Sequence, residues 1–550
     1  MSIPPAGNVV WRFVVMREIG EAYDFVIVGA GSAGCVLANR LSASGRHTVL
    51  LIEAGPEDKN FWLHIPIGYS RLFSDPVHNW LYTHEKEPAT NHRAIPEPRG
   101  KVLGGSSAIN GLLYTRGHRQ DYDHWFDLGN TGWSYEDVLP YFRKSEGYTG
   151  GANEFHGGNG PLRVTDTSTK HPFCEALFQS AQFAGFPICP DFNGQSCNGF
   201  GYLQTTAHRG WRSSAATAFL KPVRKRPNLM IITESLVTRI LFDGIRAIGV
   251  AYNRQEETLQ VRANKEVIVS AGAINSPQLL QLSGVGDARD LSAKSIPVLA
   301  DIPGVGQNLQ DHFNARIIYR LNRPFSLNDI ARNPIRALKA IYDFAIHGAG
   351  PIAMGASYAA GFIRSQPELE VPDIQAGVAL YSADRVGQRV HSFSGVSIVV
   401  RILRPASRGE IRIRSNDPVA PPLIRAKFLS EPQDGKILVS GLQIMRDVLS
   451  RQPVADLISE EYQPGADCET KTDWLNYARQ NGGTSYHPVG TCRMGVDDDA
   501  VVDPRLRVNK LLGLRVVDAS IMPTIISGNT NAPTIMIGEK GADLILDDAS

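Results

Sequence analysis

The chain has almost no net charge: 56 basic residues stand against 55 acidic ones in a length of 550. Such a balance supplies no field to gather a polyanion, so nothing favours a nucleic-acid partner. Cysteine is also scarce. The six residues, at positions 35, 174, 189, 197, 468 and 492, form no CxxC pair and no zinc-like spacing, which suits reduced thiols in a cytoplasmic protein better than a disulfide framework. No apolar run reaches the roughly 18 residues of a membrane span. Arg12 and Arg17 interrupt the short apolar run at 9–15 that would otherwise imitate a secretory signal. Residues 1–21 therefore read as a loose extension, with Met16 an alternative start. Attachment to the periphery of an inner membrane stays open, because apolar surface loops leave no sequence pattern. Internal repeats and low-complexity tracts are absent as well. At this length more than one core is expected.

What the chain does have begins at YDFVIVGAGSAG, from Tyr23. An apolar run at 25–28 leads into Gly29, Gly31 and Gly34, and apolar positions then recur at helical spacing to Leu41. This is strand, turn, helix. Gly29 makes the tight turn, Gly31 lets the backbone approach a pyrophosphate, and Gly34 lets helix pack on strand. The helix N-terminus, beginning at Ser32, faces the phosphates. A second strand at 48–52 ends in Glu53 and Ala54, at the distance of about twenty residues where a carboxylate meets a ribose diol. An acid there disfavours a 2′-phosphate. The pattern predicts a dinucleotide site without separating NAD from FAD.

Strand-like runs follow at 229–233, 239–242, 247–252, 259–261 and 266–270. They end in AGAINSPQLL, where Ala271 and Gly272 open a second strand-to-helix glycine turn. Residues 162–220 and 313–480 differ in character, with alternating runs at 396–403 and 410–414 and helical stretches at 335–346 and 435–449. These predict an antiparallel sheet carrying helices. The expected organisation is a cofactor domain of residues 22–161, 228–312 and 481–550, interleaved with a substrate domain of residues 162–227 and 313–480.

Four blocks in this order resemble the glucose-methanol-choline (GMC) oxidoreductases: the N-terminal turn, PRGKVLGGSSAINGLLYTRG from Pro98, GAINSPQLLQLSGVG from Gly272, and YHPVGTCRMG from Tyr486 with VVDASIMP and GNTNAPT. GCVLANRLS at Gly34, DFNG at Asp191 and GTCRMG at Gly490 are most similar to the bacterial alcohol dehydrogenase and choline dehydrogenase-like branch. The resemblance spans nearly the whole chain from Tyr23 to Leu546. It implies an α/β fold, with a flavin-type Rossmann domain and an α+β substrate part, and FAD as cofactor. Arg99, Gly100, Val102, Gly104, Gly105, Ser106, Ser107, Asn110 and Gly111 then fall in the loop passing over the flavin and pyrophosphate, where glycine permits close approach and Asn110 offers both ends of its amide. By the same resemblance Val237 holds the adenine, Asp518 and Ala519 lie near the ribityl chain, and Asn531 and Thr534 bind the cofactor. In some relatives a histidine before the asparagine bonds covalently to the flavin. Ile109 stands there in this chain, which predicts non-covalent FAD.

Hydride departure from an alcohol carbon to flavin N5 requires removal of the hydroxyl proton, and histidine is the natural base near neutral pH. The resemblance assigns this to His487 and places Asn529 beside it as a hydrogen-bond donor to the substrate oxygen, with Asn531 the rival for that role. Other constellations are weaker. His118, Asp121, Asp123 and His124 lack the spacing of a metal site and read as a polar helix surface. Cys492 reads as a packed thiol, KPVRKR from Lys221 as a solvated loop, and the acidic residues 497–499 lack calcium-loop spacing. No metal is expected. The aromatic-rich stretch from Phe61, FWLHIPIGYSRLFSDPVHNWLYTHE, resembles the family's lid and suits a hydrophobic primary alcohol over a quaternary ammonium, which would want a carboxylate. The electron acceptor, a quinone or oxygen, is not legible, and neither is oligomeric state. Two alternatives stay open: a non-redox flavoprotein of the hydroxynitrile lyase or fatty acid photodecarboxylase type, which GNTNAPT disfavours, and a non-catalytic binding protein.

Overall fold

The computed structural model describes residues 20–167, 170–384 and 387–549. Of the N-terminal extension expected at 1–21, residues 1–19 lie outside the described residues.

A seven-stranded sheet runs in the order Leu229–Ile232, Val49–Ile52, Ala22–Val28, Glu257–Val269, Arg246–Arg254, Leu236–Asp243, with Leu514–Val516 added beside Glu257–Val269. Ala22–Val28 pairs in parallel with Val49–Ile52 and with Glu257–Val269, and Leu514–Val516 also joins in parallel. Val26, Ile27, Val49, Leu50 and Leu51 have no exposed surface, as expected where helices cover both faces and strands become continuous apolar runs. The runs at 259–261 and 266–270 form one strand, Glu257–Val269, rather than two. Its first half pairs antiparallel with Arg246–Arg254 at the partly exposed margin, and its second half enters the parallel centre. The polar stretch between the runs marks that change of burial and leaves the strand unbroken.

The two chain ends meet on this sheet. Helix Asn531–Ala549 packs on helix Ser32–Leu41, where a Cβ on Gly538 would sit 3.0 Å from Ala33 Cα. Arg40 donates to both oxygens of the buried Glu539 carboxylate, at 2.7 and 2.5 Å, a two-point geometry that fixes the packing angle.

A second seven-stranded sheet is antiparallel, in the order Ile458–Gln463, Phe313–Leu321, Gly395–Ile402, Ile374–Ala379, Ala359–Ile363, Gly199–Tyr202, with Gly483–Thr484 joining the start of Phe313–Leu321. Helix Pro432–Leu449 covers one face, with Gly441 seated against Val400 and Ile374. The α/β architecture with an antiparallel sheet and helices is thus the fold read from the sequence. Between the sheets, Gln310 and Val489 exchange backbone hydrogen bonds at 3.1 and 2.9 Å, holding residues 310–312 against 487–489.

One surface reading is corrected. Asp121 is buried, accepting from the Ser527 backbone N–H and hydroxyl, from Arg404 and from the His118 backbone N–H. His118 caps helix Arg119–Asp127, and of the two histidines only His124 is exposed. The partner loop of Asp121 lies some four hundred residues away, so the local pattern carries no sign of it. All six cysteines are buried and free. Among the described residues no helix is long and apolar enough to cross a membrane.

Candidate active site

A cavity of about 520 Å³ runs between the two sheets, and it begins at the C-terminal ends of the parallel strands, where open α/β sheets bind ligands. Gly29 lies at φ +97°, and a Cβ there would fall 2.5 Å from Ser270 O. Gly31 precedes helix Ser32–Leu41, whose first turn receives no side-chain cap, leaving its N–H groups for an anion. Gly105 closes the loop over this turn: at φ +51°, a Cβ would lie 2.7 Å from Gly31 Cα. Two backbone segments therefore touch where side chains would hold them apart. Gly272 heads the second glycine turn, and the space around it is open.

Glu53 is buried, and its oxygens accept from the Ala30 and Gly55 N–H groups at 2.9 Å each. Burial outweighs these bonds and raises its carboxyl to about 7, so hydroxyl donors reaching its remaining lone pairs would favour ionisation. Asp518 accepts from Gly272 N–H, the Ser276 hydroxyl and Ser520 N–H. Ser32 donates to Asn531 Oδ1 at 2.8 Å, tying the two ends of the chain across the same opening. Ala54, Arg99, Ser106, Asn110, Gly111, Val237, Ala271, Ala519 and Thr534 also line the cavity. Gly34, Val102 and Gly104 do not. A Cβ on Gly34 would meet Gly29 O at 1.9 Å, Val102 packs with Leu63, Leu72 and Ile109, and Gly104 donates its N–H to Ala30 O. The bare helix start, the touching glycines and the buried acid fit the pyrophosphate and ribose of a dinucleotide cofactor.

The same cavity continues to His487 and Asn529. His487 is 7% exposed, and its backbone N–H donates to Asp311 Oδ1 at 2.9 Å. Asp311 in turn accepts from the Thr484 hydroxyl. The imidazole lies in a chain whose protons are fixed by its far end. His312 Nε2 is 3.0 Å from Leu403 O, and a carbonyl only accepts, so Nε2 carries the proton. The bare Nδ1 of His312 then accepts from Nδ1–H of His487, 3.0 Å away. That leaves His487 Nε2 unprotonated, its lone pair accepting from the Asn529 amide nitrogen at 3.0 Å. Asn529 is itself positioned by its backbone N–H to Thr115 Oγ1 at 2.8 Å. Burial, followed by the neighbouring His312, Arg401 and Arg99, pushes His487 well below the ordinary histidine range, and burial and Arg401 push His312 to about 3. Both rings are neutral at neutral pH.

Several residues here escaped the reading of the sequence. Asp311 and His312 end a loop whose glycines, Gly304 and Gly306, point to a turn and not to them, and only its pairing with 487–489 brings them to the site. Arg316 and Arg401 also line the cavity. Their place depends on strand register, Asn314 opposite Arg401 and Arg316 opposite Val399. His84, Glu97 and Asp311 bring ligand-type atoms within 4.8 Å of one another; Glu97 Oε2 lies 3.1 Å from His84 Nε2 and Oε1 lies 3.4 Å from Arg99, while His84 Nδ1 and Glu97 Oε1 have no hydrogen-bond partner. Asn110 uses its oxygen on Leu112 N–H and on Arg212, so only its amide nitrogen remains for the cavity.

The GMC oxidoreductase family model matches in two parts, an N-terminal one over residues 23–314 and a C-terminal one over 405–538. Mitochondrial choline dehydrogenase of Mus musculus is 41% identical over 534 residues, which is 96% of this chain and 89% of that one. Alcohol dehydrogenase [acceptor] of Pseudomonas putida is 39% identical over 528 residues, 95% and 96% of the two chains. Among solved structures, one from work on FAD modification in Aspergillus oryzae RIB40 formate oxidase superposes with a TM-score of 0.90 at 28% identity, covering 97% of this chain and 99% of that one.

Proposed function

Because the chain belongs to the GMC oxidoreductase family, we propose that it oxidises a primary alcohol with an apolar carbon frame to the aldehyde. It is an FAD flavoprotein, and the cofactor, when bound, supplies the acceptor for the hydride that leaves the carbinol carbon. His487 takes the hydroxyl proton at Nε2, and Asn529 donates its amide N–H to the oxygen as negative charge develops there. A buried neutral base suits this step, since the proton arrives as the alkoxide forms and the pair stays neutral overall. The observation that carries the reading is the chain Leu403, His312, His487, Asn529, which presents one unprotonated nitrogen at the end of the cavity whose other end is the glycine cradle.

Gly29, Gly31, Ser32 and Glu53 hold the adenine half of FAD in this reading. Ile109, buried on the cavity wall, offers no nucleophile, so attachment is non-covalent. Anaerobic mixing with a primary alcohol bleaches the oxidised flavin band, and acid precipitation releases the yellow colour to the supernatant. An unbleached band across a panel of alcohols overturns the oxidation, and a yellow pellet overturns the non-covalent attachment.

A quinone is the proposed acceptor, met at the surface of an anionic membrane on the cytoplasmic side. Helix Pro334–His347 supports this. Ile335, Leu338, Ile341, Tyr342 and Ile346 are between 54% and 77% exposed on one face, with Arg332, Arg336 and Lys339 flanking it, a pattern suited to the lipid interface. Phe344 of this helix packs on Trp211, which meets Phe61 at the start of the lid. Co-sedimentation with anionic vesicles, lost on Leu338→Ser/Tyr342→Ser, tests the membrane contact. Quinone reduction measured against oxygen uptake tests the acceptor.

A further inference from the structure

The cavity carries two carboxylates, Glu53 and Asp518, and both stand at the cofactor end beside the glycine turns. Its other end carries arginine. Arg316 and Arg401 project from the neighbouring strands Phe313–Leu321 and Gly395–Ile402, and the register places them one step apart on the face that lines the cavity. Arg401 is 7% exposed, and its Nε has no hydrogen-bond partner. The guanidinium lies beside Gly377, where a Cβ would come within 3.5 Å of its NH2 nitrogen. Among the described residues neither arginine takes part in an ion pair. The acid whose charge reaches Arg401 is Asp311, and both of its oxygens already accept, from His487 N–H and from Thr484. Burial and Arg316 push Arg401 down to about 10, which still leaves it protonated at neutral pH.

An unpaired buried cation is costly, and it persists where a ligand completes it. Resting on the alcohol-oxidising reading above, we propose that the substrate is a hydroxy acid whose carboxylate is bound by Arg401 and Arg316 while its carbinol sits at His487 and Asn529. A guanidinium fork matches a carboxylate in two-point geometry. The opposite charge type fits poorly. Tyr69, Phe73, Tyr381 and Tyr486 line the same end and would serve as an aromatic cage, but Arg316 already projects its charge on Tyr69 and Tyr486. A quaternary ammonium would therefore meet cations with no carboxylate on the wall of that end, since Glu97 and Asp311 lie behind it.

The test uses the FAD-loaded enzyme with a length series of ω-hydroxy acids, the methyl esters of the same acids, and choline. The best acid is expected to exceed its ester in kcat/KM by about 100-fold, since a site built for a polar group discriminates strongly against an analogue lacking it. Arg401→Met collapses the acid-to-ester ratio, and Arg401→Lys restores part of it, with FAD content checking the fold of each. On the unmodified enzyme, alkanoates that cannot be oxidised inhibit competitively, and alkyltrimethylammonium ions of equal length do not. Esters or choline turning over as well as the acids overturns the carboxylate assignment and leaves alcohol oxidation standing. Flavin bleached by none of these compounds, acids included, takes down both.

Discussion

Around Gly29, Gly31, Gly105 and Gly272 the cavity wall is backbone, whereas around His487 it consists of side chains delivered by a sheet face and by loops far apart in sequence. The first end achieves its shape by leaving atoms out: a Cβ would fall 2.5 Å from Ser270 O at Gly29 and 2.7 Å from Gly31 Cα at Gly105. The second achieves its chemistry through polar contacts near 3.0 Å that fix protons as well as positions. A backbone cradle is therefore expected to fail by losing its cofactor, and a side-chain network by losing rate or selectivity while the cofactor stays.

The largest effect is expected at His487. His487→Gln removes the proposed base and should lower kcat by about 10²- to 10⁴-fold, with a normal flavin-to-protein ratio. Near-normal turnover would remove His487 from the reaction, and loss of flavin would erase the contrast between the ends. Gly105→Ala probes the other end. Its Cβ collides with Gly31 at 2.7 Å in a left-handed conformation, a strain of about 1–3 kcal/mol. Lower FAD occupancy and a lower Tm are expected, with turnover per bound flavin changed far less. An unaltered flavin ratio would show that the loop moves aside and that contact between the two glycines is dispensable.

The same contrast explains what could be read in the sequence. The cofactor end is legible because each demand falls on a residue type at a fixed spacing: Gly29, Gly31 and Gly34 in one turn, Glu53 after the next strand. Even the motif residues that stay off the cavity, Gly34 and Gly104, pack directly behind it. The reactive end is legible only through family resemblance, which supplied His487 and Asn529 and missed His312. Nothing local distinguishes His312 from the other histidines, since its role arises from the pairing of Gln310 with Val489. Arg316 and Arg401 fall at alternating positions that predict strands, yet alternation does not reveal which face borders a cavity. Asp121 is the same lesson in reverse: a polar cluster looks solvated until Ser527 arrives from across the molecule.

His312 supplies the finest test, because its proposed effect is on the location of a proton. With His312→Phe, Nδ1–H of His487 loses its acceptor in a buried setting, at a cost of about 1–3 kcal/mol. The imidazole then shifts toward the tautomer with Nε2 protonated, which has no lone pair for the substrate. The competent fraction falls, and kcat/KM falls with it by about 10- to 100-fold. Both tautomers hold the same number of protons, so raising the pH restores nothing; a loss caused by an altered pKa would recover on the alkaline side. His312→Gln keeps an oxygen to accept from His487 and an amide to donate to Leu403 O, and should recover most of the rate. If Phe and Gln behave alike, His312 is packing, and the proton order of the site is set at Asn529 instead.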